Sequence, residues 1–130
     1  MATVASGMMT ELVCGGAIRV PLWVQDFDSF RRWTLSDEFP DQGNISWLGG
    51  LLWVDPSMER DVHNQIKTAV MGDLLQVVRS KQLGRLYSDH MRVIHPEVKL
   101  STEPDGSFAS LESLQRQRVQ LRQGKESLEL

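Results

Sequence analysis

Leu100-Ser101-Thr102-Glu103-Pro104-Asp105-Gly106-Ser107-Phe108 is the stretch on which the reading of this chain turns. Two carboxylates flank a proline, a glycine follows, and the run can leave the turn as a short strand through Phe108 and Ala109. Proline presets φ, aspartate bonds nearby backbone, and glycine takes conformations other residues avoid, so the segment reads as a turn between extended runs. Two roles for Asp105 follow. It is a turn residue only, or it is a metal-binding carboxylate.

Upstream of this turn, Asp55-Pro56-Ser57 opens the longest helix the sequence predicts. Ser57 is a natural N-cap, and Glu59 and Asp61 fall in a first turn whose dipole favours acidic residues. Val62, Ile66, Ala69, Val70, Leu74, Val77 and Val78 recur every three or four residues, as one buried face requires. The helix should run to about Lys81–Leu83 and stop at Gly84. Gly72 costs roughly 1 kcal/mol relative to alanine inside a helix, and it is read as a point of close packing. His63 and Lys67, four residues apart, share a face beside the apolar stripe. His63 is either a boundary histidine bonded to backbone or a residue facing a site at the start of the helix.

Farther upstream, Ile45-Ser46-Trp47-Leu48 and Leu51-Leu52-Trp53-Val54 flank Gly49-Gly50 and predict a tight hairpin, with Trp47 and Trp53 on the core. Phe27, Phe30 and Trp33 make one stripe of a helix that Asp26 or Asp28 can cap and that reaches about Ser36. Residues 1–19 read as a flexible leader and residues 20–130 as one domain. Between helix and turn, Arg85–Ser88 and Met91–His95 read as strands with Asp89-His90 at their turn, and His95–Lys99 as a loop. Beyond the turn, Ser110 caps one helical turn through Leu114, and Gln115–Leu130 is a thin polar tail with a weak strand at Val119 and Leu121.

The chain has 130 residues, enough to bury a core without disulfides or metals. Its net charge is −3 and its pI near 5.6, which argues against a strongly basic nucleic-acid-binding protein but not against a metal-dependent nuclease. Cys14 is the one cysteine, so no intrachain disulfide forms and a cytoplasmic location is expected. No stretch approaches the ~18 apolar residues of a membrane span. Gly15-Gly16 and Gly49-Gly50 match no phosphate-binding fingerprint, and no strained Gly-x-Ser-x-Gly elbow occurs. Asp89, His90 and His95 form the one cluster with zinc-ligand character, which is too few ligands. Metal-assisted phosphodiester hydrolysis remains: it needs carboxylates around hard cations that prefer oxygen, and a lysine often orients the attacking water.

Ser36-Asp37-Glu38-Phe39-Pro40, the Ile45–Asp55 hairpin, Ser57-Met58-Glu59, His63-Asn64-Gln65 with Lys67, and Ser101–Ser110 occur in that order. Together they resemble the Uma family of restriction-endonuclease-like proteins, a bacterial branch of the PD-(D/E)XK nuclease superfamily. The resemblance covers roughly Pro21 to Leu130 and is most specific at Trp53–Lys67 and Leu100–Leu114. It implies an α+β fold: a partial PD-(D/E)XK mixed sheet with a long helix in the N-terminal half. It further implies Mg²⁺ as cofactor, DNA as substrate, Asp105, His63 and Lys67 as catalytic residues, and Asp105 with Glu103 as metal ligands. Ser46 and Leu51 stand where many relatives carry acidic residues, and no Asp/Glu-x-Lys follows Asp105. Glu97-Val98-Lys99 lies upstream on a loop, and Lys125-Glu126 has the reverse order. The expectation is a domain truncated after its first catalytic motif, with hydrolysis weak or absent and an exposed sheet edge that invites a homodimer. The alternative is a catalytically degenerate binding or dimerisation module.

Overall fold

The computed structural model describes residues 10–57, 61–88 and 91–130. The chain divides into two compact units, Met1–Met58 and Glu59–Leu130.

The first unit begins with an antiparallel hairpin, β1 (Glu11–Cys14) and β2 (Ile18–Pro21). It lies largely inside the expected leader, whose residues 1–9 fall outside the described residues. Ile18 and Val20 are buried while Arg19 between them is exposed, the period-two pattern of a half-covered strand. Gly15 and Gly16, which break the apolar pattern in sequence, make the turn between these strands with positive φ. Helix α1 (Phe27–Leu35) follows, and Asp26 caps it: Ser29 N donates to Asp26 Oδ1 at 2.8 Å, and Asp26 N donates to Ser29 Oγ at 3.0 Å. This reciprocal box satisfies two backbone donors that a helix start leaves open. The α1 stripe is the core of the unit. Phe30 and Trp33 are fully buried, with ring centroids 5.9 Å from Trp47 for Phe30 and 4.9 Å from Phe39 for Trp33.

Strands β3 (Asn44–Leu48) and β4 (Leu51–Asp55) form the predicted hairpin, with Gly49 and Gly50 at φ +60° and +77° as a primed turn demands. Trp47 pairs with Leu52 and Ser46 with Trp53, so the two tryptophans lie on opposite faces. Trp47 is buried. Trp53, expected on the core, is exposed, and its indole N–H donates to the Leu48 carbonyl at 3.2 Å. At the end of β4, Asp55 Oδ1 accepts from Ser57 Oγ at 2.6 Å and Ser57 N at 2.9 Å. These bonds, the hydroxyl's first, hold the Asp55 carboxyl below its ordinary range. The Ser57 hydroxyl thus serves Asp55, and the next helix begins at Asp61; Glu59 lies outside the described residues.

The second unit holds α2 (Asp61–Lys81) and two strand systems. Strand β5 (Gly84–Tyr87) pairs antiparallel with β8 (Ser107–Ser110), not with the strand that follows it in sequence. Strand β6 (Arg92–His95) pairs antiparallel with β7 (Leu100–Thr102) and parallel with β10 (Ser127–Glu129), which in turn pairs with β9 (Gln120–Arg122). The order β7-β6-β10-β9 replaces the expected polar tail with a hairpin whose Leu128 is buried. Asp89-His90, the expected turn, lies outside the described residues. Ser110 caps the short α3 (Leu111–Gln115), accepting from Ser113 N at 3.1 Å.

Helix α2 has the predicted length, but its apolar stripe is not the buried face it promises. Val62 is 68% and Ile66 60% exposed, Val70, Leu74 and Val77 are also exposed, and Val78 alone of the stripe is buried. Gly72 has open space where a Cβ would stand, so it is no close-packing point. The helix ends at Lys81, and its cap falls on Gln82, two residues before the predicted glycine. Gln82 adopts the left-handed conformation, its N–H bonds the Arg79 carbonyl, and Leu83 N–H bonds that of Val78, the pairing of a Schellman cap. No helix among the described residues is long and apolar enough to cross a membrane.

Candidate functional site

The turn that opened the sequence reading joins β7 to β8 and leans against the N-terminal half of α2. Asp105 sits at its tip with 59% of its side chain exposed. His63 Nε2 lies 3.2 Å from Asp105 Oδ2, and Lys67 Nζ lies 4.0 Å from Asp105 Oδ1. One carboxylate is therefore met on each oxygen by a different group of the same helix. The i, i+4 spacing of His63 and Lys67 places them one above the other on that face. The two are not equivalent. His63 is half exposed, whereas the Lys67 side chain is nearly covered, its stem lying along apolar surface with the ammonium at the carboxylate. The His63 contact is an ion pair when the imidazole is protonated and a hydrogen-bond distance in either state.

Gly106 explains how the turn comes so close. A Cβ there would stand 2.7 Å from Met71 Sδ and 3.2 Å from Met71 Cε. Behind the polar cluster lies a groove of about 360 Å³ between α2 and the β5–β8 pair. Ile66, Val70, Met71, Leu74, Leu86 and Phe108 give it apolar walls, and His63, Lys67 and Asp105 stand at its polar end.

Glu103 belongs to a different neighbourhood. Its Oε2 lies 3.7 Å from Arg92 Nη2, and Arg92 Nη1 donates to Ser101 Oγ at 3.2 Å. Arg92 is buried in β6, and desolvation lowers its pKa against the opposing pull of Glu103. So of the four predicted site residues, His63, Lys67 and Asp105 come together, while Glu103 is engaged by the sheet. Arg92, Ser101, Met71 and the apolar groove were not singled out by sequence reasoning. The alternation of β6 places Arg92 and Ile94 on one face, but that Arg92 meets Glu103 follows from a strand register no local pattern displays.

Among the described residues no group of three or more His, Cys, Asp or Glu side chains is placed to hold a metal ion. Mg²⁺ takes near-octahedral oxygen coordination, mostly from carboxylates, phosphates and water. Asp105 offers one carboxylate, already faced by two cationic or donor groups, and Glu103 faces a guanidinium. The residues described do not by themselves make a Mg²⁺ site. Glu97-Val98-Lys99 does not repair this, because it forms a short 3₁₀ turn ending at Lys99 and carries exposed side chains.

No family model matches this sequence, and no curated protein or solved structure matches it.

Proposed function

We propose that this protein is a Uma-type endonuclease-like protein, built on part of a PD-(D/E)XK fold. In this reading the β7–β8 turn and α2 supply the first half of a DNA-hydrolysing site, with Asp105 as its carboxylate and Lys67 and His63 beside it. The observation that supports it most directly is the convergence of His63 and Lys67 on Asp105. Those are the three residues that the resemblance assigns to catalysis, and they come from segments far apart in sequence. A lysine ammonium beside a carboxylate is the pair such hydrolysis uses to orient water and offset developing phosphate charge. Among the described residues the site offers one carboxylate, and in this reading hydrolysis by this chain is weak or absent.

The test is Mg²⁺- or Mn²⁺-dependent nicking of plasmid DNA by the wild-type chain and by Asp105→Ala. The expected result is slow nicking that Asp105→Ala abolishes. Equal nicking by both would remove Asp105 from the chemistry. A second reading, a binding or dimerising module, draws support from the exposed apolar stripe of α2 and from β9, which pairs with β10 alone among the described strands of its unit. Absent nicking with a stable dimer by light scattering favours that reading.

A further inference from the structure

We infer that Glu103 is a positioning residue rather than a metal ligand: with Arg92 it clamps the base of the Asp105 turn to the central strand β6. The inference rests on the reading of Asp105 as the working carboxylate.

The register carries the argument. Val93 stands opposite Thr102, Ile94 opposite Ser101 and His95 opposite Leu100. Continued by one residue, the same register sets Arg92 opposite Glu103, just past the end of β7. Directly opposed residues of an antiparallel pair bring their Cβ atoms within about 4.5–5.5 Å, and diagonal neighbours stay within reach of a long side chain. Arg92 uses both relations, reaching Glu103 with Nη2 at 3.7 Å and Ser101 with Nη1 at 3.2 Å. Ser101 is fully buried, so this contact cannot be exchanged for bulk water. Strand β6 is held on both sides, by β7 and by β10, which makes it a firm anchor for the guanidinium.

The two carboxylates of Glu103-Pro104-Asp105 therefore face different partners. Glu103 is drawn to the sheet and Asp105 to α2. Pro104 stiffens the link between them, since its ring removes the φ freedom that would let the turn swing. The clamp extends the β6–β7 ladder to within two residues of Asp105 and so limits where that carboxylate can stand relative to His63 and Lys67. A guanidinium suits this task because its planar fork holds two acceptors in a fixed geometry, where an ammonium is a compact point charge on a flexible stem.

The experiment uses the full chain and reads the His63 imidazole signals by NMR, because they report its contact with Asp105 without any requirement for activity. The main variant is Arg92→Met with Glu103→Met. It removes both charges together, and such replacements of an interior ion pair are often neutral for stability. Asp105→Asn supplies the signal positions of a disturbed contact. The expected result is that the double variant moves the His63 signals at least half of the way from their wild-type to their Asp105→Asn positions, while its melting temperature stays near wild type. Arg92→Lys should move them part of that distance. If the double variant fails to fold, Glu103→Gln, which keeps the shape and removes the charge, is read in the same way. His63 signals at their wild-type positions in a folded variant overturn the clamp, as does Asp105→Asn leaving those signals unmoved.

A separate readout scores the parent reading: the nicking comparison of the wild type with Asp105→Ala. The clamp result with equal nicking by both keeps the clamp and removes Asp105 from the chemistry. Nicking lost in Asp105→Ala with unmoved His63 signals does the reverse.

Discussion

Two amphipathic helices of this protein use the same sequence grammar and end in opposite circumstances. In α1, nine residues place Phe30 and Trp33 at zero exposure inside a ring of aromatics. In α2, twenty-one residues carry a longer apolar stripe, and most of it faces outward. Periodicity states which face of a helix is apolar. It does not state whether anything lies against that face. Helix α1 has its cover close at hand, in Phe39 and the β3–β4 hairpin, a few residues downstream. Within its unit, α2 meets the β5–β8 pair along one flank, where Ile66, Val70, Met71 and Leu74 line a groove that is open rather than filled, so the stripe stays largely exposed.

The sharpest way to break this comparison is to truncate one stripe residue on each helix. Trp33→Ala should cost about 3–5 kcal/mol, the range for emptying a large buried aromatic site. Ile66→Ala should stay within about 0.5–1 kcal/mol, as for exposed positions. Urea unfolding monitored by circular dichroism checks both, and comparable losses would show that the α2 face is covered in solution. Next in size is Gly72→Ala. With open space around that position the substitution meets no obstacle, and it should stabilise the chain by about 1 kcal/mol through helix propensity, raising the denaturation midpoint. A loss would mean that a neighbour packs tightly there.

The smallest effect concerns how the two helices begin. Helix α1 has its capping box, whereas Ser57, the cap expected for α2, is bound to Asp55. The Asp55 carboxyl is held below its ordinary value of 3.8 by those bonds. Its contribution is thus complete above the unfolded-state value and is lost as pH falls through the lower folded-state value. Asp55→Asn should remove a small acid-side slope from the stability profile, lying slightly below wild type near neutral pH and converging with it at low pH, as thermal melts between pH 2 and 7 would record.

What could be read in advance from the sequence was whatever is decided within a few residues. The Gly49-Gly50 hairpin, the Asp26 cap, the Ser110 cap and the length of α2 all depend on such neighbours, and all are present. The site followed the same logic in part. His63 and Lys67 share a face because they are four apart, and Asp105 was marked by its turn. What escaped reading depends on register between distant segments. Strand β5 chose β8 over its sequence neighbour, β10 took a central place that its polar surroundings did not suggest, and Glu103 found Arg92 across a ladder. The β1–β2 hairpin was missed for a local reason. A Gly-Gly pair reads as a turn at 49–50, between two clear β-prone runs, but only as an interruption at 15–16, because the runs around it are short.

The position of β10 also bears on how the chain is made. Strand β6 and its partner β7 are synthesised before β10, the strand that closes the other side of β6. At roughly 5–20 residues per second, the intervening segment keeps β6 waiting for seconds, with the backbone donors and acceptors of one edge unsatisfied. During that interval the same edge is open to an extended segment of another nascent chain or to a chaperone. Aggregation in this protein is therefore expected to track translation speed between residues 96 and 126 more closely than it tracks the stability of the finished fold.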